Sequence, residues 1–146
     1  AMETCGYCDR GAFARLLPKL DLILYDIKQM NPEKHRAYTG VDPRPIFDNL
    51  RFLCGAEQTA DVMVRAPVIP GYNDDADHYH EMTAFLRTLG RAPRVEMLPY
   101  NTLAGSKYPR LGMTYAPGGR AAPSPETLTA LRKILTDGGI DASILA

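Results

Sequence analysis

Asp26 and Lys28 stand two residues apart at the end of an apolar run, Asp21 to Met30. The run reads as a buried strand, and in a strand that spacing points both side chains to the same face. A carboxylate and an ammonium then meet at a strand's C-terminal end, where parallel α/β folds bind their ligands. The same pair would serve equally as a structural ion pair closing the strand. Arg65 interrupts a second apolar run, Asp61 to Ile69, near its C-terminal end too. It could snorkel from a strand end, but recurrence of charge at one edge favours a site. Cys5 and Cys8 form a Cys-x-x-Cys, a spacing that suits redox or metal chemistry. A tetrahedral metal needs three or four ligands, and Cys54, in a predicted helix, is the only other cysteine, so the pair is not assigned to a metal. His78 and His80, two apart on a predicted helix, point in different directions, and both read as surface residues.

These groups must be held by strands and helices whose signals are clear. Residues 9–19 predict a short helix with Phe13, Leu16 and Leu17 on one face and Pro18 at its end. Asn31 before Pro32 predicts a capped helix over Glu33 to Tyr38, stopped by Gly40. Asp42 with Pro43 repeats the device for a helix carrying Ile46, Leu50 and Leu53, which ends near Cys54 and Gly55. Residues 75–89 predict an amphipathic helix with Tyr79, Met82, Phe85, Leu86 and Leu89 inward. Val95 to Pro99 is a third strand, and 102–123 reads as a long loop, a type that is usually functional or mobile. Ser124 caps a last helix with Leu128, Leu131, Ile134 and Leu135 as its apolar face and Gly138-Gly139 as its end. Ile140 to Leu145 is either a short strand or an extended tail. Glu3 and Thr4 before Gly6 look like the exit of a strand whose apolar body is absent, and Ala1 before Met2 looks like a remnant ahead of a start. Strands alternating with helices at this spacing imply parallel βα units, in an open sheet or part of a barrel.

Composition removes several functions. Seventeen basic and seventeen acidic residues cancel, so no net field steers the chain to nucleic acid or an anionic membrane. No apolar run reaches the roughly 20 residues needed to span a bilayer. Three cysteines in 146 residues fit a reducing compartment, and a cytoplasmic location is expected for this single domain.

Four motifs in order make a resemblance: Glu3-Thr4-Cys5-Gly6-Tyr7, then Asp26-Ile27-Lys28-Gln29-Met30, then Val64-Arg65 with Val68 to Asp74, then Leu98-Pro99-Tyr100 followed by Gly105 to Tyr108. From residue 3 to about 138 the chain resembles the glycyl radical enzyme activating enzymes, the pyruvate formate-lyase activating type among them. That resemblance implies a radical S-adenosylmethionine protein with a partial, TIM-like (β/α)6 barrel, of which this α/β chain is about the C-terminal half. It also implies a [4Fe-4S] cluster in the full-length enzyme only. The family's Cys-x-x-x-Cys-x-x-Cys loop is not in this sequence, and Cys5 and Cys8 do not match it.

Through the resemblance, Lys28 corresponds to the lysine at the methionine carboxylate, and Asp26 to the aspartate at the cosubstrate and cation site. Glu3 and Thr4 fall where the family has Asp-Thr, Arg65 matches an arginine facing cosubstrate and substrate loop, and Asn101 replaces a histidine near the adenine. The implied partner is a glycyl radical enzyme, whose glycine loses a hydrogen atom to a 5′-deoxyadenosyl radical. No catalytic residue and no metal ligand is expected in this chain, which alone would be inactive. Two other readings remain. One is a non-catalytic α/β module that binds a partner protein, the complementary half barrel, or a second copy through the exposed half-barrel edge. The other is a Schiff-base lyase on Lys28, disfavoured by the carboxylate beside the amine.

Overall fold

The computed structural model describes residues 1–55, 57–101, 110, 112 and 120–145. The motif Gly105 to Tyr108 and most of the predicted loop 102–123 lie outside the described residues. The elements are β1 (Met2–Thr4), α1 (Arg10–Leu16) with a 3-10 turn (Leu17–Lys19), β2 (Leu22–Asp26), α2 (Pro32–Thr39) and α3 (Arg44–Leu53). They continue as β3 (Asp61–Val68), α4 (Ala76–Leu86), β4 (Arg94–Pro99), α5 (Pro125–Asp137) and β5 (Ala142–Ile144). The five strands form one all-parallel sheet in sequence order. The α/β reading of the sequence therefore holds, with β1 and β5 added at the edges.

Burial alternates along the strands. Ile23 and Tyr25, Val62, Val64, Ala66 and Val68, and Val95 and Met97 are buried together with the helix residues Leu50, Leu53, Tyr79, Met82, Leu86, Leu131 and Leu135. The alternate positions, Leu24 and Asp26, Met63, Arg65 and Pro67, and Glu96 and Leu98, are only half-buried. One face of the sheet thus packs under helices, and the other lies open.

Local signals set most boundaries. Asn31 Oδ1 accepts from the amides of Glu33 and Lys34, Pro32 opens α2, and Gly40 closes it at φ 79°. Asp75 caps α4 through the His78 amide, and Ser124 caps α5 through the Thr127 amide. Asp42 does not cap α3, because Pro43 takes the cap position and the Asp42 carboxylate accepts from the Arg44 amide instead. Leu16 faces outward at 43 % exposure, while Phe13 and Leu17 go into the core. α1 passes into the 3-10 turn after Leu16, and Leu17 takes the inward position beside Phe13.

His78 departs from the sequence expectation. His80 is exposed, but His78 is buried at 2 % exposure. The chain after β2 folds over α4, and His78 Nδ1 lies 3.2 Å from the Met30 amide and 3.1 Å from Gln29 Oε1. It can serve one of them at a time: as acceptor for Met30 it leaves a protonated Nε2, which is buried without a partner. Burial pushes the imidazole down to about 4 from its ordinary 6.5.

Two buried amides join the same loops. Gln29 donates to the Tyr72 carbonyl at 2.8 Å and accepts from the Asn31 amide at 3.0 Å. Asn73 donates to the carbonyls of Lys28 and Pro67 and accepts from the Ile69 amide, all within 2.8 Å. The segments following β2 and β3 are thus bonded into one unit, which fixes the backbone that carries Lys28.

Two predictions follow from this packing. Gly6 has φ 72°, and a Cβ there would fall on the ring and hydroxyl of Tyr25, which donates to the Ile46 carbonyl at 2.6 Å. Gly6→Ala is expected to cost about 2–5 kcal/mol, backbone strain plus overpacking. Gly40→Ala, at φ 79° with open space around it, should cost only the backbone part, about 1–2 kcal/mol. Urea unfolding of both variants checks the difference, and equal losses would refute the Tyr25 contact. His78 binds a proton more readily unfolded than folded. Stability is therefore full above pH 6.5 and falls as pH drops from 6.5 toward 4. The loss is expected to reach at most about 3–4 kcal/mol, at about 1.4 kcal/mol per unit. His78→Gln should flatten that part of the urea-unfolding profile, and an unchanged slope would rule His78 out as its source.

Candidate active site

The C-terminal end of the open face gathers the charges. Parallel register aligns Asp26 with Arg65 and Arg65 with Glu96, so the three stand in one row across β2, β3 and β4. Asp26 Oδ2 lies 3.3 Å from Lys28 Nζ, which extends just past the strand end. Arg65 does not pair with its neighbour Asp26. Its Nη1 reaches over β2 to Glu3 Oε1 at 2.6 Å, and its Nε, buried without a hydrogen bond, lies 3.7 Å from Glu96 Oε2.

Burial differs sharply within this group. The Arg65 side chain is 18 % exposed and Asp26 20 %, against 48 % for Lys28 and 61 % for Glu3. The Asp26–Lys28 pair is therefore screened by water and contributes at most about 1 kcal/mol. It stabilises the fold little and leaves Lys28 able to turn toward a ligand. Arg65 is held more firmly, because its stem lies between β2 and β4 and its head is already engaged.

The predicted site residues divide into two clefts. Asp26 and Lys28 line one with Cys5, Tyr7 and His35, between the segment after β1 and the helices α2 and α3. Arg65 lines the other with Leu98, Tyr100, Asn101 and Leu145. Glu3 reaches the second through its ion pair with Arg65. Thr4 points elsewhere: it pairs with Tyr25, whose side chain is on the helix-covered face, and its Oγ1 accepts from the Gly6 amide at 3.0 Å. Among the described residues no group of three or more His, Cys, Asp and Glu side chains could hold a metal ion.

The arrangement suits a zwitterionic headgroup. Two cations and three carboxylates within one rim offer ion pairs to a carboxylate and to an ammonium at once. The half-buried Met63, Pro67 and Leu98 on the same face supply apolar floor beside them. Sequence reasoning missed the supporting residues Gln29, Asn73 and His78. Gln29 and Asn73 sit inside quoted motifs, yet a polar residue in a loop motif gives no sign of whether it is buried.

No family model matches the chain. It is 38% identical over 135 residues to the isethionate sulfite-lyase activating enzyme of Nitratidesulfovibrio vulgaris, a match covering 92% of this chain and 43% of that protein. It is 34% identical over 140 residues to the pyruvate formate-lyase 1-activating enzyme of Escherichia coli, covering 94% of this chain and 56% of the relative. The pyruvate formate-lyase-activating enzyme of Listeria monocytogenes is 37% identical over 140 residues, with 92% and 56% covered. The chain thus spans about half the length of these curated relatives.

Among solved structures, a domain of a pyruvate-formate lyase-activating enzyme from Bacteroides vulgatus superposes with TM-score 0.80 at 25% identity, over 99% of this chain and 79% of that one. A radical SAM methyltransferase from Sphaerobacter thermophilus shares the fold, with TM-score 0.71 at 19% identity, and this chain covers 39% of it. The parallel sheet is accordingly part of a TIM-like partial barrel. Over nearly all of its length, the chain is homologous to the glycyl radical enzyme activating enzymes of the pyruvate formate-lyase type.

Proposed function

We propose that this chain is the C-terminal half of a radical S-adenosylmethionine activating enzyme that works in the cytoplasm on a partner glycyl radical enzyme of the pyruvate formate-lyase type. The observation that carries this is the convergence of Glu3, Asp26, Lys28 and Arg65 on one open sheet face, in a chain that matches half of each curated activating enzyme. In the whole enzyme, S-adenosylmethionine and a [4Fe-4S] cluster would supply the radical chemistry that takes a hydrogen atom from the partner's glycine. Lys28 would pair with the methionine carboxylate, and Asp26 and Glu3 would stand at the cosubstrate and cation site. Thr4 acts by holding the Gly6 turn next to Glu3. Arg65 and Asn101 line the cleft toward the adenine and the substrate loop. The family's three-cysteine loop is not in this sequence, so the chain by itself would be inactive.

A second reading has its own support. β1 is the first strand of the sheet, with one neighbour, and the open face presents half-buried apolar residues. Such a surface suits the complementary half of a barrel, and in its absence a second copy of the chain.

The coding DNA upstream of this chain tests the first reading. An open frame carrying Cys-x-x-x-Cys-x-x-Cys is expected, and an in-frame stop would overturn it. In the longer protein, Lys28→Ala should raise the KM for S-adenosylmethionine roughly ten- to hundredfold with kcat largely kept, as for one lost charged hydrogen bond. An unchanged KM would remove Lys28 from the carboxylate site. Light scattering of the chain alone tests the second reading: a concentration-dependent dimer is expected, and a monomer at high concentration refutes it.

A further inference from the structure

Cys5 and Cys8 take no part in the site described above, yet they are placed beside it. We infer that they form a reversible dithiol–disulfide couple, closed by exchange with a small-molecule disulfide, at the rim of the cleft that holds Asp26 and Lys28. Four features of the turn support this. Gly6, at φ 72°, turns the chain as it leaves β1, and the Cys8 amide donates back to the Gly6 carbonyl at 3.0 Å. Asn49, buried on α3, donates to the carbonyls of both Gly6 and Cys8 at 2.9 Å, so the turn is bonded to the core at two points. The turn leaves Cys5 and Cys8 three residues apart on either side of Gly6, the Cys-x-x-Cys spacing of dithiol couples. Cys5 also lines the cleft with Asp26 and Lys28.

Exposure divides the roles. Cys8 is exposed, Cys5 half-buried and Cys54 buried. The Cys8 thiolate attacks one sulfur of the added disulfide R–S–S–R; that bond breaks, one RS⁻ leaves, and a mixed disulfide stands on Cys8 Sγ. The Cys5 thiolate then attacks Cys8 Sγ and expels the second RS⁻. Two protein thiols are oxidised, the added disulfide is reduced to two thiols, and the two thiol protons leave with them. Burial, with the Asp9 carboxylate and Cys5, holds the Cys8 thiol above its ordinary value, so exchange quickens as the buffer becomes more alkaline. Closing the ring draws the Cys5 sulfur toward Cys8 and alters the wall next to Lys28. The chemistry is independent of the family assignment, since neither cysteine matches the family's cluster loop.

The experiment uses the chain as it stands, equilibrated anaerobically with oxidised and reduced glutathione at a series of ratios. Each sample is quenched by alkylation and mapped by mass spectrometry. The expected result is joint loss of the Cys5 and Cys8 thiols in one two-electron transition, with a mass decrease of two hydrogens that dithiothreitol reverses. Cys54 keeps its thiol throughout. Cys5→Ser should trap glutathione on Cys8, and Cys8→Ser should take up little. Three results would each overturn the couple: both thiols alkylated at every ratio, glutathione persisting on Cys8 of the unsubstituted chain, or oxidation appearing as covalent dimers on a non-reducing gel.

Discussion

Every strand of the sheet runs in the same direction, so each must be joined to the next by a crossover, and the alternation of burial shows that the described helices pack on one face. That constraint governs the rest of the molecule. The covered face can be wholly apolar, and it is, from Ile23 and Tyr25 through Val64 to Met97. The uncovered face receives every second residue of the same strands, whatever its type. Charged residues at strand ends are tolerated there because water reaches them, and a parallel register then stacks them into a row. Asp26, Arg65 and Glu96 stand together for that reason, although they are far apart in sequence.

The ends of the strands would be loose without a second set of bonds. Asparagine and glutamine supply them, since each amide both donates and accepts. Asn73 satisfies three backbone groups, Gln29 two, and Asn49 two. All three are buried, where an unmet backbone carbonyl or amide costs about 1–3 kcal/mol. The loops around the candidate site are therefore held by polar contacts, and the apolar core stops one layer below them. Among the described residues, Tyr79 Oη, His78 Nε2 and Arg65 Nε are the exceptions, buried and without hydrogen bonds.

Much of this was legible in the sequence. Asn31, Pro32 and Gly40 mark both ends of one helix, and the apolar runs from Asp21 and Asp61 mark two central strands, because capping and burial are local or periodic properties. The edge strands were less visible: three residues of β1 or β5 cannot establish an alternation. His78 was misread for a related reason. Its helix was correctly recognised, but burial of one polar position depends on a loop that arrives from 48 residues earlier, and helical spacing carries no trace of it. Glu3 and Thr4 were expected to act together at one site. Adjacent residues in a strand face opposite ways, and only Glu3 reaches the open side.

The pairing of Arg65 with Glu3 gives the rim a particular thermodynamics. The guanidinium, mostly buried, already has a carboxylate at 2.6 Å that belongs to the chain itself and extends from solvent on a flexible stem. An anion arriving at Arg65 does not fill a vacancy. It exchanges with an internal competitor, and its affinity is the difference between two similar ion pairs. In neither the occupied nor the empty state is the guanidinium left without a carboxylate, so occupancy of the rim turns on which anion pairs better and not on whether the charge is paired at all.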